Sequence, residues 1–278
     1  MKRLLTLCLV CCCVTAASAQ SDVLKAAQKA NDYFMGRYID PTQPTFAGRM
    51  RESNLWTRAV YYEGLMALYT IDPQQRYLDY TQRWADFHQW QARGGTTATN
   101  ADNQCCEQTF IELHLLTGKG TLESVKENLE HQMVTPNPKA DGALYGHWTW
   151  IDAIQMAMPV YVKMYAVTKD QRYLDYAMKS YRWTRNECGG GCFNVKEGLW
   201  WRDKDYVPPY QEKDGKNCYW SRGNGWVYAA LVRSMELLPK KSKEYRQLTR
   251  RPTMRFMVGG RGLMPSRWLC RCICRWLR

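Results

Sequence analysis

One hexapeptide occurs twice in this chain. Gln75-Arg76-Tyr77-Leu78-Asp79-Tyr80 returns as Gln171-Arg172-Tyr173-Leu174-Asp175-Tyr176. Each copy follows a stretch with helical character that ends in Tyr69-Thr70-Ile71-Asp72 or Val167-Thr168-Lys169-Asp170, and weaker echoes lie at Leu115-Leu116-Thr117-Gly118 and Leu237-Leu238-Pro239-Lys240. The unit is helix, polar turn, helix, recurring roughly every fifty residues. One such hairpin cannot bury its apolar face alone, so it must stack on its neighbours. The chain is therefore restricted to arrayed helical hairpins, as an open solenoid or a closed toroid.

The periodicity elsewhere agrees. Apolar residues recur at helical spacing over Ala26 to Tyr38, Ala59 to Tyr69, Gln108 to Leu116, Ile151 to Val167 and Val227 to Leu238. Between Cys192 and Arg202, Phe193, Val195, Leu199 and Trp201 fit a short β-hairpin instead. Long loops at Ala92 to Ala101, Pro136 to Thr149 and Asn186 to Trp220 favour a toroid with a cleft, since loops on a rigid scaffold carry function. The expected fold is all-α, an (α/α)6 toroid of helical hairpins. The body, residues 20–250, supplies about four hairpins at this period, so the barrel is expected to be incomplete at its C-terminus.

Both ends differ from the body. Lys2 and Arg3, the apolar run Leu4 to Val14 and the small residues Ala17-Ser18-Ala19 read as a secretory signal peptide over 1–19, implying export to the periplasm or medium. A lipoprotein anchor is disfavoured because Val or Cys precedes each of Cys11, Cys12 and Cys13. The segment Arg251 to Arg278 holds seven Arg and no Lys, Asp or Glu, with Gly, Pro, Cys and Trp between them. That composition reads as GC-rich DNA translated out of frame, beginning near Thr249 to Arg251; the alternative is a real basic tail. Taking these seven charges and Lys2 and Arg3 from the net +13 leaves +4. A nucleic-acid partner therefore has only the tail in its favour, and no later stretch is apolar enough to span a membrane.

Of twelve cysteines, Cys105, Cys106, Cys188, Cys192 and Cys218 lie in the body. Export permits disulfides, and the odd number leaves at least one thiol unpaired within the chain. Cys188-Gly-Gly-Gly-Cys192 can close a small loop, but no second Cys/His pair stands at zinc spacing, so no metal is expected. Vicinal Cys105 and Cys106 suit packing as small apolar residues.

Sugar chemistry enters with the tryptophans. In Trp220-Ser221-Arg222-Gly223-Asn224-Gly225-Trp226, two indoles flank a guanidinium, and Trp148-Thr149-Trp150-Ile151-Asp152 sets a carboxylate among further indoles. Aromatic faces stack on sugar C–H faces, and a guanidinium matches the carboxylate of an acidic sugar. Paired carboxylates serve as proton donor and water-positioning base. Asp102, in Ala101-Asp102-Asn103-Gln104, and Asp152 are the candidate pair, and both also suit plain helix N-terminal positions. An acid among indoles is desolvated and stays protonated nearer neutral pH. His147 either contacts substrate or fills a loop, while His88, His114 and His131 read as structural.

Three separated segments in order, namely Trp148-x-Trp150-x-Asp152-Ala153 with Met156-Ala157-x-Pro159, Trp220 to Trp226, and Ala101-Asp102-Asn103-Gln104, resemble glycoside hydrolase family 105. These unsaturated rhamnogalacturonyl hydrolases are related to the family 88 unsaturated glucuronyl hydrolases. The resemblance covers about Val23 to Gln247. It implies an (α/α)6 barrel that hydrates the C4=C5 double bond of an unsaturated uronyl residue on a lyase-generated pectin or rhamnogalacturonan oligosaccharide. Asp152 would protonate C4 and Asp102 would be its partner. Arg222, Asn224, His147, Trp148, Trp150, Trp220 and Trp226 would bind substrate, and no cofactor is needed. Family members run well past residue 250. The alternative is a truncated, non-catalytic sugar-binding relic of the same fold. Neither the uronic acid, the linkage nor the oligomeric state is legible.

Overall fold

A computed structural model describes residues 22–249; the expected signal peptide and the arginine-rich tail lie outside the described residues. The described residues belong to two compact units. To the first belongs α1, a helix over 22–37, where the apolar period places one. The second begins at Thr42 and holds every other element.

In that unit four helical hairpins follow one another: α2 (Trp56–Tyr69) with α3 (Gln75–Phe87), α5 (Glu107–Thr117) with α6 (Glu123–Val134), α7 (Asp152–Thr168) with α8 (Gln171–Asn186), and α9 (Ser221–Leu237) with α10 (Lys243–Thr249). A one-turn helix, α4 (Ala101–Gln104), precedes α5. The first helices of the hairpins pack on one another, α2 on α5, α5 on α7 and α7 on α9. The fold is the expected all-α toroid type, built from these hairpins. Two short antiparallel hairpins decorate it: β1 (Thr45–Phe46) with β2 (Met50–Arg51), and β3 (Phe193–Asn194) with β4 (Leu199–Trp200). The second is the one read from the alternation; β1 and β2 are too short to leave a sequence period.

The two hexapeptides begin α3 and α8 and fold alike. Gln75 Nε2 donates to Asp79 Oδ1 at 2.9 Å, and Gln171 Nε2 to Asp175 Oδ1 at 3.0 Å. Tyr77, Leu78 and Tyr80 are buried, as are Tyr173, Leu174 and Tyr176. The repeat thus encodes a helix whose i,i+4 pair stays outside while an aromatic face turns inward. Only the entry differs. Asp170 caps α8 by accepting from Arg172 N, whereas Asp72 accepts from the hydroxyl of Tyr77 at 2.9 Å.

Helix α7 is the axis of the packing. From Asp152 through Met164 every residue is buried, as expected of a helix apolar on all sides. Pro159 sits inside it and cannot donate to the Gln155 carbonyl one turn earlier. That carbonyl is instead taken by Gln108 Nε2 of α5 at 2.8 Å. A buried backbone acceptor left empty costs about 1–3 kcal/mol, so the proline is compensated by a neighbouring helix. Among the described residues, no helix is long and apolar enough to cross a membrane.

Candidate active site

The site forms where these inner helices begin. Trp56 is the first residue of α2, Asp152 the first of α7, Ser221 and Arg222 open α9, and Asp102 stands second in α4. Helix starts present unpaired N–H groups and positive dipole ends, which suit an anionic ligand.

Asp152 is 4% exposed. Arg222 Nη2 donates to its Oδ2 at 3.4 Å, while its Oδ1 is buried without a hydrogen-bond partner. Burial lifts the Asp152 carboxyl to about 6, against the opposing pull of the Arg222 and Arg202 cations. Asp102 also stands at about 6, raised by burial and by the charge of Asp152, and held down by Arg51 and Arg222. Asp102 therefore feels the charge of Asp152, and the two acids share one cation, Arg222.

Arg222 is held from two sides. Its guanidinium lies 4.2 Å from the Trp220 ring and 5.5 Å from the Trp56 ring, which fixes its plane by cation–π contact. Its Nε is buried without a hydrogen-bond partner. Gly223 explains how α9 comes so near. A Cβ there would fall 2.6 Å from Ile151 Cδ1 and 3.0 Å from Asp152 Oδ1. Gly225 has no such neighbour, so only the first glycine of the motif is required by packing.

A buried polar layer ties these helices together below the acids. Glu63 of α2 accepts from Gln155 Nε2 at 3.0 Å and from the Cys105 thiol at 3.2 Å, and pairs with Arg233 of α9. Gln155 lies one turn after Asp152, and Cys105 follows α4. One carboxylate thus links the supports of both acids.

Several expected substrate contacts lie elsewhere. Trp148 has no exposed surface and packs beside Tyr161 and Tyr176 at ring separations of 6.2 and 6.5 Å, so it is a core residue and no sugar platform. His147 donates from Nε2 to the Thr135 carbonyl at 2.7 Å, and burial lowers its pKa, so it pins a loop in neutral form. Asn224 accepts from Trp200 N and donates to the carbonyls of Trp200 and Trp220, which makes it a clamp between β4 and α9. Trp150 and Trp226 are half-buried, and the backbone of Trp150 bridges Asp203. Asp102, Asp152, Arg222 and Trp220 do come together.

Sequence reasoning missed Trp56, Arg51 and Arg202. Arg202 stands 5.8 Å from the Trp220 ring and pairs with Asp203 at 2.7 Å. The signal for Trp56 was positional: like Asp152 and Arg222, it opens an inner helix. Among the described residues no group of three His, Cys, Asp or Glu could hold a metal ion. Cys105, Cys106, Cys188, Cys192 and Cys218 are free thiols, all but Cys218 buried.

Comparison with known proteins extends this geometry. A curated relative from Alteromonas sp. (strain LOR), described as an unsaturated 3S-rhamnoglycuronyl hydrolase, is 24% identical over 243 residues, which is 80% of this chain and 57% of the relative. A solved family 88 glycosyl hydrolase from Bacteroides vulgatus superposes with a TM-score of 0.70 at 27% identity, covering 82% of this chain and 64% of that one. A second structure, named as a polysaccharide lyase, has the same TM-score and identity, covering 82% of this chain and 62% of its own. The chain spans little more than half the length of the curated relative. The sequence profile of Glycosyl Hydrolase Family 88 matches residues 26–256, from near the start of α1 through the last described helix. On that match the chain belongs to Glycosyl Hydrolase Family 88.

Proposed function

We propose that the chain removes a 4,5-unsaturated uronyl residue from the end of a lyase-generated oligosaccharide by hydrating its double bond. The observation that carries this is the pairing of Asp152 with Arg222: a proton-poised acid 3.4 Å from an aromatic-clamped guanidinium. The double bond of such a sugar is an enol ether with a carboxylate on C5. Arg222 holds the carboxylate. Asp152 gives its proton to C4, positive charge develops at C5 and the ring oxygen, and water adds at C5 with its proton passing to a carboxylate of the pair. The resulting hemiketal opens and the glycosidic bond breaks. A group at about 6 is suited to giving a proton and taking one back near neutral pH. Assignment to the related family 105, and a galacturonyl group on pectin-derived rhamnose, belong to the same proposal, as do export and the truncated state of the barrel.

The neighbour named as a polysaccharide lyase favours a second reading, elimination. Absorbance separates the two. An unsaturated uronyl disaccharide absorbs in the ultraviolet through its conjugated double bond. Hydration destroys that absorbance, whereas a lyase acting on a saturated polymer creates it. Loss of absorbance on unsaturated disaccharides is expected. A gain on saturated polymer, with no loss on the disaccharide, would sink the hydrolase reading.

A further inference from the structure

The proposed reaction makes no use of the loop Cys188-Gly189-Gly190-Gly191-Cys192, yet the fold holds its two thiols together. The loop joins the end of α8 to the start of β3. Gly190 N donates to the Glu187 carbonyl and Gly191 N to the Cys188 carbonyl, both at 2.9 Å. Cys192 N reaches back to the Thr184 carbonyl of α8 at 3.1 Å, and Trp201 N donates to the Cys192 carbonyl at 3.0 Å. All three glycines have positive φ. A Cβ on Gly189 would also fall 2.4 Å from Lys204 Cβ, and one on Gly191 2.9 Å from the Arg185 carbonyl oxygen. A turn this tight folds its second cysteine back onto its first: Cys192 Sγ donates to the Cys188 carbonyl at 3.5 Å.

The pair is unequal. A hydrogen bond from the Cys192 thiol holds the Cys188 thiol below its ordinary value, against burial and the charge of Asp203, and Lys204 adds to the lowering. The same hydrogen bond, followed by burial, pushes Cys192 up. The other described cysteines go the same way as Cys192. Burial first pushes Cys105 and Cys106 up, and a hydrogen bond with Glu212 pushes Cys218 up to about 11. Of the five, Cys188 alone is favoured as a thiolate, and a thiolate is the attacking species in disulfide exchange. Glu187, Gly189 and Gly190 are exposed, so the pair lies just beneath the surface.

We propose that Cys188 and Cys192 form a thiol–disulfide exchange site for small disulfides of the glutathione class, with Cys188 attacking and Cys192 resolving. The Cys188 thiolate attacks one sulfur of the oxidant, whose S–S bond breaks and whose other half leaves as a thiolate. Cys192 gives its proton to that thiolate, attacks the Cys188 sulfur and expels the remaining half, which takes up the proton first lost from Cys188. The protein gains one S–S bond, and the oxidant takes up two electrons and two protons as two thiols. The bond ties α8 to β3 and removes the thiol hydrogen that Cys188 donates to the Thr149 carbonyl, shortly before Asp152. None of this depends on the proposed hydrolysis.

The test equilibrates the full folded chain with oxidised and reduced glutathione, blocks free thiols by alkylation and maps the tryptic peptides by mass. Peptide 186–196 holds Cys188 and Cys192 and no other cysteine, and peptide 94–119 holds Cys105 and Cys106. Peptide 186–196 is expected unalkylated and two hydrogens lighter, and peptide 94–119 alkylated at both cysteines. The preformed turn should favour the disulfide at least about tenfold over synthetic peptide 186–196 in the same buffer, since its thiols are already held together. Cys192→Ser should trap glutathione on Cys188, whereas Cys188→Ser should leave Cys192 open to alkylation. Full alkylation of peptide 186–196 under excess oxidised glutathione, an equilibrium no better than that of the free peptide, equal oxidation of peptide 94–119, or glutathione trapped on Cys192 instead of Cys188 would overturn the proposal. No oligosaccharide enters the assay, so failure of the hydrolase reading and failure of this one are told apart.

Discussion

Asp102 and Asp152 reach nearly the same acidity by different routes. Asp152 is almost sealed, opens a helix of 17 residues, and has Arg222 directly upon one of its oxygens. Asp102 is half-buried, lies in a helix of four residues whose N-cap is the Asn100 side chain, and borders an open, arginine-lined cavity. Burial is the first cause of the shift in both, but the second differs: a cation lowers Asp152, while Asp152 itself raises Asp102. A rigid acid aimed by an ion pair suits proton transfer at a fixed atom. A half-open acid beside a polar cavity suits water and hydroxyl groups. On the proposed reaction, this difference in setting makes Asp152 the proton donor and Asp102 the acid that orients water.

The largest test of that division is Asp152→Asn. Losing the proton donor should lower kcat on an unsaturated disaccharide by about 10³-fold or more, with KM little changed, because general acid catalysis is worth roughly 10²–10⁴. Asp102→Asn should cost less, on the order of 10²-fold, since an amide can still orient water. If the Asp102 variant proves the more damaged in steady-state assays, the roles are exchanged.

Gly223→Ala probes the closeness of α9 to the acid rather than the acid itself. The added methyl must displace Ile151 or the Asp152 carboxylate. Overpacking of this kind costs about 1–3 kcal/mol in stability, read by urea denaturation, and a displaced acid should lose about tenfold in kcat. A fully active variant would mean that the Ile151 side chain yields and that Asp152 tolerates movement.

The smallest effect is in stability against pH. Both acids have folded pKa values raised from 3.8 to about 6, so the native state binds their protons more tightly than the unfolded chain. Their contribution favours folding fully below about pH 3.8 and is lost as pH rises through 6. Asp152→Asn should therefore flatten the fall in melting temperature between about pH 4 and about pH 6.5, and Asp102→Asn should do so less, being more open to solvent. An unchanged profile in both variants would show that neither carboxyl is strained by burial.

Much of this was legible beforehand. The hexapeptide repeat announced the hairpins, because an i,i+4 polar pair over an aromatic face is a local property of a dozen residues. The two acids were legible because helix starts have sequence signatures. The fates of Trp148 and Asn224 were not. Trp148 and Trp150 stand two residues apart ahead of one helix, yet the first is sealed beneath Tyr176 of α8 and the second is half-exposed. Nothing local says on which side α8 lies. Asn224, within the most sugar-like motif of the chain, spends its side-chain hydrogen bonds on a strand 24 residues earlier and on the Trp220 carbonyl just before α9. Arg51 carried no motif, since a two-residue strand is too short to have a period.

The sequence by itself determined that helical hairpins would be stacked and that carboxylates would stand at helix starts, since both follow from periods and caps within one turn or two of the chain. Only the tertiary structure decided which rings and cations meet those carboxylates. Trp56, Arg51, Arg202 and Arg222 come from distant segments, and it is the burial of α7 among its neighbours that brings their rims together and strips enough water from Asp152 to lift its carboxyl to about 6.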